Sequence, residues 1–315
     1  MVLTVGEVHT GLLQHSTSLP PDDVAGILAL VPGERVRRST RPIPYAVSPE
    51  VLTGVDCPLA TLSGRRAPGA GTAVSRALIT GGHVLQASTR AVIEPASAGG
   101  RRRLPWSHYL TRPGVLEHRG AWSTDDLRDG FLAPTHAPDV LDLGAIATGL
   151  MDDLQLSRRL DAVRPFNTPR TRLRWAVVPP VGDGARRVEL AVQDGTLRTL
   201  LLSGTPAEIP TIVELCEDLA LHDWLLSTLL SLIDRAHVGG GSWARTLGRL
   251  RPAVDFLLHL WMPAARLDDG VLDVWAALEH RPGLTRQWNA SVQRIRDQLA
   301  MATVTLLARE PAVAP

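Results

Sequence analysis

The chain has 315 residues, enough for one large or two ordinary domains, and its 33 Lys plus Arg nearly equal its 32 Asp plus Glu. That balance gives no global signal for a polyanionic partner. All of the basic residues counted there are Arg and none is Lys, which excludes from this chain a Walker A loop, a pyridoxal Schiff base, a lysine nucleophile and a protein-kinase strand lysine.

Taken in chain order, the first part reads as strand-rich. LTVGEVHTGLLQ is compatible with a strand, with Val5, Val8 and Leu12 apolar. Pro20 to Val31 predicts a short helix, because Pro and two acids suit a positive helix N-terminus, and Pro32-Gly33 ends it. ERVRRSTRPIPYAVSPE is extended and punctuated by Pro. GTAVSRALITGGHVLQASTRAVIEP predicts a hairpin turning at Gly81-Gly82. Arg65 to Gly71 and SAGGRRR at 97–103 read as loops. So does the Pro/His/Asp stretch at 133–140, which marks the boundary between a strand-rich domain, 1–135, and a mainly helical one, 136–315.

Beyond that boundary a helix is expected from about Asp139 to Val163. A β pair follows at about 171–203, with a hairpin signal at Asp194-Gly195. Helices are expected over 207–236, 242–263, 268–280 and 285–308, and their short connections suggest a bundle. The expected class is α+β. Cys57 and Cys216 match no zinc or disulfide framework, and Cys216 reads as an inert buried thiol. No apolar run is long enough to cross a bilayer and the N-terminus lacks a signal-peptide pattern, so a cytoplasmic, membrane-free protein is expected.

Three places carry candidate chemistry. The first is a doubled Asp-x-x-Leu-His-x-Trp pattern, in LCEDLALHDWLLSTLL and again in AVDFLLHLWMPAAR. On the first helix Glu214, Asp218 and His222 form one stripe pointing toward the core side, while Asp223, Ser227, Ser231 and Asp234 form the solvent stripe. A buried carboxylate and imidazole cost several kcal/mol unless paired, and the nearest partner for Asp218 is His222 one turn away. If the second pattern faces the first, Asp218, His222, Asp255 and His259 converge as ligands for zinc, iron or manganese. Dimetal bundles typically use Glu-x-x-His instead, which favours structural pairing. Trp224 and Trp261 read as packing anchors.

The second place is RRRLPWSHYLTRPG, where Arg101, Arg102, Arg103, Trp106 and Tyr109 offer a partner surface, a base-stacking platform or a solvated loop. The third is the Arg-rich run from Arg158 to Arg187, a local positive surface that could meet an acidic partner, a nucleotide or nucleic acid. Within it Arg172 and Arg174 stand at strand period, read as outward-facing and are candidate partner-binding residues, the alternative being ordinary solvent-facing strand residues. There is no Gly-x-Ser-x-Gly elbow and no phosphate-binding Gly loop after a strand.

Several segments together resemble a known family: GEVHTGLL, LVPGERVRR with RPIPYAVSPE, LTGVDCPL, LPWSHYLTRPGV, TRLRWAVV, CEDLALHDWLL, GRLRPAVDFLLHLWMPAAR and RQWNASVQRIRDQLA. They are similar, over nearly the whole chain, to an actinobacterial family typified by a Streptomyces protein. Its genes lie in a conserved cluster with a ParA/MinD-type P-loop ATPase and a predicted methyltransferase. The resemblance implies an actinobacterial source and a cluster-encoded protein partner, and it assigns no catalytic residues. The leading expectation is a non-enzymatic accessory protein with no cofactor, acting in a complex. The alternatives are a metal-dependent hydrolase using the paired Asp and His residues, and a nucleic-acid-binding module using the Arg-rich segments.

Overall fold

A computed structural model describes residues 2–96, 102–135, 137–180, 186–236, 248, 251 and 256–307. Among the described residues eleven strands make one mixed sheet in the order β10-β11-β9-β1-β7-β8-β6-β3-β2, with β4 and β5 also paired to β6. In chain order the elements begin with β1 (Leu3–Leu12), α1 (Pro21–Leu28), β2 (Arg37–Ser39), β3 (Tyr45–Val47), β4 (Val51–Val55) and β5 (Pro58–Ala60). Next come β6 (Arg66–Thr80), β7 (Val84–Pro95), α2 (Trp106–Leu110), β8 (Val115–His118), α3 (Thr124–Leu132) and α4 (Leu143–Gln155). The rest are β9 (Thr171–Val178), β10 (Val188–Val192), β11 (Leu197–Ser203), α5 (Ile209–Arg235), α6 (Leu272–His280) and α7 (Leu284–Leu307). The class is α+β.

The sheet passes through the boundary expected near residue 135. β1 pairs antiparallel with β7 on one side and with β9 on the other, Thr4 lying opposite both Val92 and Val177. A strand needs hydrogen-bonding partners on both edges to become interior. The most buried strand of the N-terminal part therefore takes one of its partners from the C-terminal part. One core cluster likewise joins Leu3 and Val5 to Ala176 and Leu201.

All ten residues of β1 are buried, because both faces of the sheet are covered. Alternation sends the odd-numbered residues of β1 to one face and the even-numbered to the other. On the odd face Val5 packs with Leu127 and Phe131 of α3 and Leu143 of α4. The same face carries Ala77, Ile79 and Ala87 against Val24 and Ile27 of α1 and Met151 of α4. On the even face Val8, Trp175 and Leu200 pack against Ile212, Leu219 and Trp224 of α5.

α5 is buried on nearly every side, since the sheet lies on one flank and α6, α7 and the 257–267 segment on the other. Each fully buried Leu or Trp there contributes roughly 1.5–3 kcal/mol. The stripe expected to face solvent is therefore partly enclosed. Asp223 pairs with Arg198 of β11, Nε to Oδ1 3.0 Å, and burial raises its carboxyl above the usual range against the pull of that arginine.

The β6–β7 hairpin turns where the sequence placed it. Gly81 and Gly82 sit at φ +61° and +67°, a region that favours Gly, and the His83 N–H donates to the Thr80 carbonyl at 3.1 Å. Residues 66–71, expected as a loop, instead extend β6, which takes β5 and β4 on one edge and β8 on the other. The helix expected over 139–163 is shorter: Asp142 caps it through the Ala145 N–H at 3.0 Å. Most of the helix expected over 242–263 lies outside the described residues.

Candidate functional site

Asp218 and His222 lie on the inner surface of α5, each 1% exposed. Their arrangement departs from simple mutual pairing. The His222 Nδ1–H donates to the Asp218 backbone carbonyl at 2.7 Å and stands 3.4 Å from Oδ2. The Asp218 carboxylate is claimed mainly from outside the helix. Oδ2 accepts the Ala264 N–H at 3.0 Å, and Oδ1 accepts both Nε and Nη2 of Arg266 at 3.2 Å. Burial pushes the Asp218 carboxyl up, but His222, Arg266 and the Ala264 amide together bring it below its ordinary value. The imidazole of His222 meets Trp261 and Trp275 edge-on, centroids 5.0 and 5.9 Å away, and Trp261 stacks on Trp288 at 4.2 Å.

The second pattern does not repeat the first. Asp255 lies outside the described residues. Leu258–Leu260 is a single tight turn, and His259 is exposed. His259 acts electrostatically on His83. Among the described residues no group of three or more His, Cys, Asp and Glu is placed to hold a metal ion. Trp224 and Trp261 are packing anchors, and the Trp224 indole N–H donates to the Pro169 carbonyl at 3.1 Å. Cys216 is buried, and burial pushes its thiol well up.

The helix carries a second buried acid that sequence reasoning missed. Glu217, 2% exposed, points at the sheet and receives Arg76 side-on, Nε to Oε1 2.7 Å and Nη2 to Oε2 2.6 Å. Gln86 of β7 donates to the Glu217 carbonyl at 2.9 Å. The signal was available: Glu217 stands beside Asp218 in a helix flanked by apolar residues, and Arg76 interrupts a strand of small apolar ones. On the other face of the sheet Glu7, His9 and Arg174 form a comparable cluster.

Around Arg76 and Glu217 the sheet edge and α5 enclose a cavity of about 230 Å³. Its floor is Tyr45, Val47, Arg76 and Leu78, and its walls are Glu214, Glu217, Arg37, Arg38 and Arg266. Arg266 lies over the Tyr45 ring, 4.8 Å from its centroid.

The Arg/aromatic stretch divides into exposed and buried members. Arg101 lies outside the described residues. Arg102 and Arg103 are exposed. Arg103 pairs with Asp56 at 3.0 Å and lies over the Trp106 ring at 4.9 Å. Trp106 is 38% exposed and seated against Gly54 of β4, where a Cβ would stand 3.2 Å from the indole. Leu52, Leu104 and Leu110 nearby in the chain are exposed as well. Leu52 shares the Gly54 face of β4 by alternation, and Leu110 lies one helical turn from Trp106. Tyr109 is not on this surface: it is 4% exposed, and its hydroxyl accepts the Leu104 N–H at 3.2 Å.

Arg174 also departs from the expected outward position. The strand period is as expected, but the face it points to is covered by α3 and α4. Arg174 is 3% exposed, donates to Glu7 Oε2 at 2.9 Å and binds the carbonyls of Phe131 and Ala133. Arg172 on the same face is half-buried. Neither Tyr109 nor Arg174 is placed to touch a partner. The Arg158–Arg187 run draws counter-charge from distant segments, Arg159 from Asp23, Arg170 from Asp152 and Arg186 from Glu208 and Asp273.

No family model matches this chain, and no match is found among curated proteins or solved structures.

Proposed function

We propose that the protein is a non-enzymatic accessory subunit that docks on a protein partner through the surface built on Trp106. The observation carrying this reading is a large indole held in place by Gly54 and Arg103 yet 38% exposed, beside exposed Leu52 and Leu110. Trp and Arg are the residue types that dominate binding energy at protein interfaces, and a pre-positioned side chain loses little entropy on docking. The absence of Lys leaves nucleotide phosphate chemistry of the Walker type to a partner. We take that partner to be the cluster-encoded ParA/MinD-type ATPase that the sequence resemblance implies, inside the cytoplasm of an actinobacterium.

Co-purification with that ATPase at physiological salt tests the reading. Trp106→Ala is expected to weaken the complex at least tenfold, and Arg103→Ala less, with the melting temperature of each variant close to that of the parent. An unchanged affinity for Trp106→Ala, or a chain that stays free of the ATPase throughout, overturns it.

A further inference from the structure

We propose that the cavity between the β2–β3–β6 sheet edge and α5 binds a small zwitterion of amino-acid type. Arg76 and Arg266 take its carboxylate, and Glu214 takes its ammonium group.

Each of the two guanidinium groups already commits two of its nitrogens to a buried acid. Arg76 gives Nε and Nη2 to Glu217, and Arg266 gives Nε and Nη2 to Asp218. Both acids are nearly fully buried, and they fix each guanidinium plane. The remaining nitrogen, Nη1, has no hydrogen-bond partner among the described residues in either arginine, and neither is an enclosed orphan. Both residues line the same cavity. Two guanidinium groups bordering one space, each with a nitrogen left over, suit a carboxylate, which accepts charge-assisted hydrogen bonds from planar guanidinium groups.

The charge balance narrows the ligand. Four arginines and two glutamates line the cavity; Asp218 stands behind Arg266, and Asp22 pairs with Arg38 at 2.9 Å. The surroundings are close to neutral, so a dianion such as phosphate meets repulsion from Glu214 and Glu217. Glu217 is saturated by Arg76. Glu214 is not: its one ion pair among the described residues, to Arg37, is 3.9 Å long, and the two side chains are 39% and 64% exposed. Glu214 can therefore turn to an ammonium group at the mouth. Tyr45, Val47 and Leu78 give an apolar floor for the rest of the ligand. The cavity is remote in sequence from the Trp106 surface and stands independently of the docking proposal.

The test is titration of the full-length protein, by calorimetry and thermal shift, with L-leucine, 4-methylpentanoate, 3-methylbutylamine and inorganic phosphate. Leucine is expected to bind in the millimolar range or tighter, at least tenfold better than either single-charge analogue, a difference of about 1.4 kcal/mol. Glu214→Gln, on a half-exposed side chain, should erase that preference by weakening leucine without weakening 4-methylpentanoate. The double variant Arg76→Met/Glu217→Met should lose leucine binding tenfold or more. No stabilisation by any of the common amino acids at about 10 mM, above the range of a weak small-ligand site, overturns the proposal. So does equal leucine binding by Glu214→Gln, a result that stands even if the double variant fails to fold. Phosphate binding more tightly than leucine also counts against it.

Discussion

Arg76 and Glu217 join the sheet to α5 by a side-on, two-bond contact of 2.7 and 2.6 Å, with both residues under a tenth exposed. Removing one partner strands the other charge in the interior. Glu217→Ala or Arg76→Ala is expected to cost about 3–5 kcal/mol in urea unfolding. The Arg76→Met/Glu217→Met double variant is expected near the parent, because apolar groups of similar volume avoid the desolvation of both ions. A double variant as unstable as either single one would show that the ion pair supplies net stability.

Acid should unfold the protein in two windows. Burial raises the Glu7 carboxyl, but His9 and Arg174 outweigh it and bring it from 4.5 to about 2. A carboxyl depressed in the fold contributes stability above its unfolded value, lost as pH falls from 4.5 toward 2. The contribution at neutral pH is about 3 kcal/mol. For His83, burial with nearby His259 and His15 lowers the imidazole from 6.5 to about 4. The fold prefers its neutral form, so that contribution falls away between pH 6.5 and 4. Urea midpoints measured against pH should show both slopes. His83→Asn should flatten the upper one and Glu7→Gln the lower; an unchanged lower slope in Glu7→Gln would remove Glu7 as its source.

Gly6 is a packing requirement. A Cβ there would lie 2.3 and 2.4 Å from two atoms of the Trp175 indole, which is fully buried opposite it on β9. Gly6→Ala should destabilise by about 3 kcal/mol and disturb the near-ultraviolet spectrum of Trp175. Pairing it with Trp175→Leu should recover part of the loss.

Asp218 is held as a structural anchor. With both oxygens occupied by Arg266 and the Ala264 amide, Asp218→Asn is expected to cost about 2–3 kcal/mol. Dialysis against a chelator should leave the melting temperature of the parent unchanged. A chelator-sensitive melting temperature restored by zinc or manganese would return this helix to metal chemistry.

The parts of the fold legible in the sequence were those set by local pattern. The Gly81-Gly82 turn, the opening helix after Pro20, and the strand period of Arg172 and Arg174 follow from backbone preferences and alternation. What covers a face is a tertiary property, and there the reading departed from the structure. Arg174 kept its period but lies under α3 and α4. Asp223 kept its stripe but meets Arg198. Asp218 was rightly placed toward the core, but its main partner, Arg266, lies in a segment that local pairing rules do not reach. Glu217 escaped notice because its partner Arg76 stands 141 residues away in the chain, and no local pattern joins the two.

The position of β1 has a consequence for how the chain is made. It is synthesised well before β9, yet it sits between β7 and β9, with Thr4 opposite Val177. Until β9 leaves the ribosome, one edge of β1 is an open row of backbone donors and acceptors, a template for pairing with another chain. Loop closure over that separation is slow compared with hairpin formation, so folding should be post-translational for the central sheet rather than vectorial. A fragment ending near residue 135 is accordingly expected to aggregate on release, and a chaperone that shields β1 during synthesis should raise the yield of the whole chain.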